Sequence, residues 1–190
     1  MPQGKIVILS GPSGSGKTTL HNKLLQDPRV NCKLIKSISA TTRLKRPQEK
    51  HGKDYLFLSK PMFRYRIKAG HFLEWQKVFD NYYGTPLKKI RELLKSGKFV
   101  LLCIDVKGAR VVWQKFPDAV KIFVQPPSMQ ELKKRLVSRA SDSLKSVRLR
   151  LKTARREMAQ AKDYDFVIIN DSLSSAYKRL ERVVLKIMDC

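Results

Sequence analysis

Short apolar runs alternate with mixed polar and apolar segments along much of the chain. Continuous apolar runs predict strands that are buried on both faces, as in a parallel sheet. These runs occupy residues 5–10, 99–105, 119–124 and 166–170. Helices are predicted at 16–27, 86–96, 106–116 and 173–188, the last from apolar residues at helical spacing, and at 128–160 with a break around residues 138–143. A further strand is predicted at 33–40, and the alternation indicates an α/β fold with a three-layer core around a parallel central sheet.

The pattern changes between Thr41 and Asn81, where the chain is more polar and is broken by Pro and Gly. Short strands are predicted at 54–58, 72–79 and 81–85, with a short helix at 61–69. This segment therefore does not fit the parallel core, and we expect a small α+β insertion.

A glycine-rich loop lies between the first strand and the first helix. It has the spacing G-x-x-x-x-G-K-[ST], and its members are Gly11, Pro12, Ser13, Gly14, Ser15, Gly16, Lys17 and Thr18, followed by Thr19. Backbone N–H groups of such a loop and of the following helix N-terminus cradle phosphates. Lys17 would reach the β- and γ-phosphates, and the Thr18 hydroxyl would ligate Mg²⁺. The alternative is a flexible Gly/Ser turn, and the loop alone leaves ATPases, GTPases and small-molecule kinases open.

Length, composition and the positions of Cys and His argue against a membrane-spanning or metal-binding protein. The 190 residues fit one domain, and no apolar run approaches the roughly 20 residues of a membrane span, so we expect a cytoplasmic protein without a signal peptide. Three widely separated Cys and three scattered His show no metal-ligand spacing. The net charge of +24 either attracts nucleic acid without sequence preference or is simply a well-solvated basic surface.

The insertion contains side chains that could bind a nucleoside monophosphate. Arg43 and Arg46, with tyrosine hydroxyls, can clamp a phosphate monoester. Glu74 lies beside aromatic residues and could accept two hydrogen bonds from guanine N1–H and the 2-amino group, which adenine lacks. The alternatives are a surface acid on a strand and a solvated basic face.

Several motifs together resemble the guanylate kinase family. Residues 37–47, Ser-Ile-Ser-Ala-Thr-Thr-Arg-Leu-Lys-Arg-Pro, are similar to its S-x-S-x-T-T-R-x-x-R-P motif. Further matching segments, in the same order, are residues 52–55, 72–75, 81–85, 104–109 and 167–171. The resemblance covers essentially the whole chain. It implies a P-loop kinase that transfers the ATP γ-phosphate to GMP, and to dGMP as well, with Mg²⁺.

The resemblance also implies three parts and a set of site residues. The core would be residues 1–36, 86–125 and 162–190, the GMP-binding part 37–85, and a helical lid 126–161. The implied GMP contacts are Ser39, Arg43, Arg46, Tyr55, Glu74, Tyr83, Thr85 and Asp105. Arg139 and Arg150 fall on lid arginines that reach the transferring phosphates, and Asn170 falls near the adenine pocket. With Lys17 and Arg43, these two arginines form the expected catalytic set.

Four features depart from the family pattern. Cys103 stands where the family usually has an acid, Gln48 replaces a Gly, and Ser138 and Ala140 replace lid glycines. The fourth departure is the net charge of +24. Two other readings stay open: an interaction module that binds phosphorylated partners in the GMP site, and an enzyme that also binds nucleic acid.

Overall fold

The computed structural model describes residues 4–78, 80–138 and 144–188. The elements from the start of the chain are β1 (Ile6–Ser10), α1 (Lys17–Gln26), α2 (Pro28–Asn31), β2 (Leu34–Lys36), β3 (Ala40–Thr41), β4 (Leu56–Phe57), α3 (Lys60–Lys68), β5 (Phe72–Val78) and β6 (Asn81–Pro86). They continue with α4 (Leu87–Lys95), β7 (Phe99–Cys103), α5 (Val106–Lys115), β8 (Val120–Gln125), α6 (Met129–Val137), α7 (Leu144–Met158), β9 (Phe166–Ile169) and α8 (Leu173–Met188).

Five parallel strands form the central sheet in the order β2-β7-β1-β8-β9. All five residues of β1 are buried because helices cover both faces of the sheet. Residues of α1 and α8 pack on one face around Leu24 and Leu180, and residues of α4 and α5 pack on the other around Ile90 and Val112. The predicted three-layer α/β core is confirmed.

A second sheet, with strand order β4-β3-β6-β5, is built from the polar segment and contains both parallel and antiparallel pairs. Its own small core is aromatic: the ring of Phe63 on α3 stacks on Phe72 at 4.4 Å and on Tyr82 at 5.5 Å between centroids. The predicted α+β insertion is therefore confirmed.

The single strand predicted at 33–40 is wrong. Residues Leu34–Lys36 join the central sheet beside β7, whereas Ala40–Thr41 pair with β4 and β6 in the small sheet. Both segments are extended, and nothing in their sequence indicates which sheet each one joins. The chain therefore crosses from one sheet to the other through residues 37–39, which carry Ser39.

Two helices, α6 and α7, have an apolar contact of their own around Leu132, Leu136, Val147 and Ala154. The N-cap of α6 is Ser128, whose hydroxyl accepts a hydrogen bond from the Glu131 backbone N–H at 3.1 Å. In the described ranges, no helix has the length and apolar character required to cross a bilayer.

Candidate active site

The glycine-rich loop connects the carboxyl end of β1 to the first turn of α1. Gly11 and Gly16 have φ of 140° and 93°, a region that L side chains rarely adopt. A Cβ on Gly11 would lie 2.0 Å from the Val124 carbonyl oxygen, so glycine is also required by close packing. The Ser15 hydroxyl is buried and has no hydrogen-bond partner among the described residues, which leaves it available to a ligand in the loop. The loop therefore has the geometry of an anion cradle at a helix N-terminus.

Lys17 lies over this loop. Its Nζ donates hydrogen bonds to the carbonyl oxygens of Gly11 at 2.6 Å and Pro12 at 2.9 Å. These contacts hold the ammonium group directly above the backbone that would cradle phosphate oxygens. A phosphate could replace the carbonyl acceptors without a large movement of the side chain.

Asn170 connects the end of β9 to the loop. Its side chain is 6% exposed, and its Nδ2 donates to the Ser15 carbonyl oxygen at 2.8 Å. The same residue's backbone carbonyl accepts a hydrogen bond from Arg135 Nη2 at 3.0 Å, and Arg135 is also paired with Glu131. Arg135 was not among the residues predicted from the sequence. Arg135 links α6 to the end of β9, beside the loop.

Of the predicted phosphate-clamping residues, Tyr83 lies on β6, and Arg43, Arg46 and Tyr55 lie in the segment between β3 and β4. Arg43 donates two hydrogen bonds to the Glu49 carboxylate, the shorter at 2.7 Å, and its guanidinium lies 5.5 Å from the Tyr55 ring centroid. The rings of Tyr55 and Tyr83 are 6.3 Å apart. Glu49 also accepts from the Arg46 backbone N–H at 2.8 Å, so this unpredicted carboxylate holds the Arg43 guanidinium and the Arg46 backbone. The Arg46 side chain itself is exposed.

Glu74 and Thr85 form a buried pair, because residues 74 and 85 are cross-strand partners in β5 and β6. The Thr85 hydroxyl donates to Glu74 Oε1 at 2.6 Å, and Glu74 is 6% exposed. Burial raises the pKa of the Glu74 carboxyl to about 7, and the hydrogen bond from Thr85 opposes this shift. An acid this deeply buried is typical of a specific polar contact with a ligand.

The first turn of α5 lies beside the Glu74 carboxylate. Asp105 is the N-cap of α5, and its Oδ1 accepts from the Gly108 N–H at 2.7 Å. A Cβ on Gly108 would lie 2.9 Å from Glu74 Oε2, so the glycine leaves space beside this oxygen. Glu74, Thr85 and Asp105, which the sequence predicts as contacts of one ligand, are thus brought together.

Helix α7 carries a further carboxylate, Glu157, which interacts electrostatically with Lys17 of the loop. Burial raises the pKa of Glu157 to about 7, while Lys17 lowers it and Asp105 raises it. Arg150 is seven residues earlier, on the same side of the helix, since seven residues make about two turns. Glu157 was not predicted, because nothing around it in the sequence distinguishes it from other acids on helices. Arg139, predicted as catalytic, lies outside the described residues.

Cys103 ends β7, next to Leu9 of β1. Burial raises the pKa of its thiol, so at neutral pH this position carries no negative charge. The site consequently has one carboxylate fewer than a chain with an acid at this position would have.

Comparison with known proteins agrees with the geometry. The family model described as guanylate kinase matches residues 3–187. A guanylate kinase of Haemophilus ducreyi is 46% identical over 182 residues, covering 95% of this chain and 87% of the relative. One of Lactobacillus johnsonii is 42% identical over 182 residues, covering 96% and 88%. The crystal structure of guanylate kinase from Anaplasma phagocytophilum aligns with a TM-score of 0.79 at 34% identity, covering 98% of this chain and 87% of that one. The chain belongs to the guanylate kinase family.

Proposed function

We propose that this chain transfers the γ-phosphate of ATP to GMP, giving ADP and GDP. The observation that carries the proposal is the buried Glu74–Thr85 pair, joined at 2.6 Å, in the same molecule as a complete phosphate loop. dGMP is an acceptor as well, because none of the proposed contacts involves the ribose 2′-hydroxyl. An interaction module that only binds phosphorylated partners would not need the loop and its lysine.

The donor half is formed by the loop, Lys17 and Asn170. Backbone N–H groups and the Lys17 ammonium hold the triphosphate, and Asn170 fixes the loop through its bond to Ser15. Adenine lies on the α6 side of Asn170, where Arg135 offers a planar guanidinium for stacking.

The acceptor half uses the small sheet, residues 37–85. Arg43, Arg46, Tyr55 and Tyr83 hold the GMP phosphate, and Ser39 lines the entrance to the base pocket. In that pocket Glu74 accepts from guanine N1–H and the 2-amino group, flanked by Thr85 and Asp105. Adenine would present an acceptor to this carboxylate, and an unpaired buried acid costs a few kcal/mol.

The reaction requires no general base. The attacking oxygen belongs to the GMP phosphate, which is already ionised at pH 7. Catalysis then consists of in-line positioning and neutralisation of charge on a loose transition state. Lys17, Arg139 and Arg150 supply positive charge at the transferred group, and Arg43 holds the acceptor. Closure of residues 126–161 as a lid excludes water and limits ATP hydrolysis.

The residues present fit a magnesium ion that enters with ATP. Among the described residues, no group of three or more His, Cys, Asp or Glu side chains could hold a metal without other ligands. Mg²⁺ is usually bound by one or two protein oxygens together with substrate phosphates and water. Thr18, exposed in the first turn of α1, offers such an oxygen, whereas the soft thiol of Cys103 does not. When bound, the ion would neutralise charge on the β- and γ-phosphates.

A paired measurement separates an enzyme from a binding module. GMP binding is measured by calorimetry, and turnover by coupled ADP release, for the wild type and for Lys17→Ala. We expect both chains to bind GMP with similar affinity and only the wild type to turn over. GMP binding without turnover in the wild type would instead favour the module. Use of ATP and GMP, and free cysteines such as Cys32, suit the cytoplasm, where we place this activity.

A further inference from the structure

A groove of about 400 Å³ lies between α6 and α7, on the lid segment. We call it the lid groove. It is lined by Met129, Gln130, Lys133, Arg148, Leu151, Lys152 and Arg155. Its floor is apolar because Met129 and Leu151 pack against the small core of these two helices.

The walls of the lid groove are strongly basic. Lys133, Arg148, Lys152 and Arg155 are all exposed, and none of them forms an ion pair with a carboxylate in the part of the chain that the structure describes. Among the residues that the structure describes, no Asp or Glu lines the groove. Four cations so close together repel one another, and an anionic ligand would relieve that repulsion.

Three of these cations follow one side of α7, at positions 148, 152 and 155. They extend over about 10 Å of the helix axis, since each residue adds about 1.5 Å. Arg150 lies about 200° around the helix from Arg148, so the groove is on the side opposite the proposed catalytic arginine. The groove is therefore separate from the nucleotide site.

A second basic pocket gives a useful comparison. It has a volume of about 520 Å³ and includes Lys88, Arg91 and Lys95 of α4. Glu92 also lines it and pairs with Lys89 at 3.5 Å. A carboxylate at this position repels a polyanion, and the described lining of the lid groove contains no such group.

We propose that the lid groove binds single-stranded nucleic acid through its phosphates, without sequence preference. A polyanion with regularly spaced charges matches a row of unpaired cations, and the apolar floor can take a sugar or base. The segment that carries the groove is basic in composition, since residues 126–161 contain ten Lys or Arg against three Asp or Glu. The net charge of +24, which the kinase site does not require, increases the association rate. This proposal does not rest on the proposed kinase activity.

The test uses the full chain and a fluorescein-labelled dT12, with binding followed by anisotropy from 50 to 200 mM KCl. One variant combines Lys133→Gln, Arg148→Gln and Lys152→Gln. The matched control combines Lys88→Gln, Arg91→Gln and Lys95→Gln, which removes the same charge from α4. A thermal unfolding transition within a few degrees of the wild type, followed by circular dichroism, shows that both variants are folded.

We expect the lid variant to bind dT12 at least tenfold more weakly at 50 mM KCl, and the control less than threefold. Three lost phosphate contacts also reduce the slope of log Kd against log[KCl] by about 2, at about 0.7 per contact for single strands. Equal weakening in both variants, or no binding of dT12 by the wild type at 50 mM, would overturn the proposal. So would tighter binding of a 12-residue polyglutamate, which would identify an acidic peptide as the occupant.

Discussion

Replacing Glu74 with Gln tests whether the Glu74 carboxylate selects guanine over adenine. The substitution keeps the shape of a side chain that is 6% exposed and held by Thr85 at 2.6 Å. It replaces a carboxylate oxygen by an amide that cannot accept two hydrogen bonds from guanine. A hydrogen bond to a charged group contributes about 1.5–3 kcal/mol. We therefore expect kcat/KM for GMP to fall about 100-fold, equivalent to about 3 kcal/mol, with little change for AMP or in the KM for ATP.

The pH dependence adds a second readout. Because the pKa of Glu74 is raised to about 7, the free protein must lose a proton before the carboxylate can accept from guanine. GMP affinity should rise about tenfold between pH 6 and pH 8, as a group of pKa about 7 ionises. Glu74→Gln removes this increase but keeps any titration of the GMP phosphate, so it is the matched control.

Both measurements use coupled ADP release with GMP and AMP, together with calorimetry at several pH values. An unchanged ratio of kcat/KM for GMP over AMP in Glu74→Gln would refute the role of Glu74 in base selection. The same pH slope in the variant and the wild type would show that Glu74 does not titrate against GMP.

Other changes test the remaining parts of the site and the fold. Lys17→Ala should lower kcat at least 1,000-fold while the calorimetric Kd for GMP stays within threefold. Asn170→Ala leaves the Ser15 carbonyl unpaired at a cost of about 1–3 kcal/mol, so the KM for ATP should rise roughly tenfold and that for GMP should not. In urea unfolding at pH 8, Glu74→Gln should be up to about 3 kcal/mol more stable than wild type. Because the folded-state pKa of Glu74 is raised, the wild-type fold loses stability as pH rises from 4.5 to 7, whereas Gln carries no charge to bury.

Features contained in one contiguous stretch were predictable. The loop from Gly11 to Thr18 was predictable because its own residue spacing indicates a phosphate cradle. Continuous apolar runs such as 99–105 likewise indicate strands that are buried on both faces of a sheet. Glu74 and Thr85 were predicted as separate contacts, and the register of β5 and β6 makes them one buried pair. The roles assigned to the site residues stay predictions.

Features that depend on tertiary packing were not predictable. Glu157 is affected by the charge of Lys17 only once the chain is folded, and its own helix contains no sign of this. Glu49 and Arg135 are likewise defined by partners that the fold brings near, such as Arg43 and the Asn170 carbonyl. The strand predicted at 33–40 was wrong because an extended segment does not specify its sheet.

We propose that a phosphate loop and a guanine-selective pocket together form a GMP kinase. The most direct test of this proposal is the initial rate of ADP release with ATP, Mg²⁺ and each of GMP, dGMP, AMP, UMP and CMP at equal concentration. We predict turnover with GMP and dGMP, and kcat/KM for AMP, UMP and CMP at least 100-fold lower than for GMP. Equal rates with AMP and GMP, or turnover with UMP or CMP but not GMP, would contradict it.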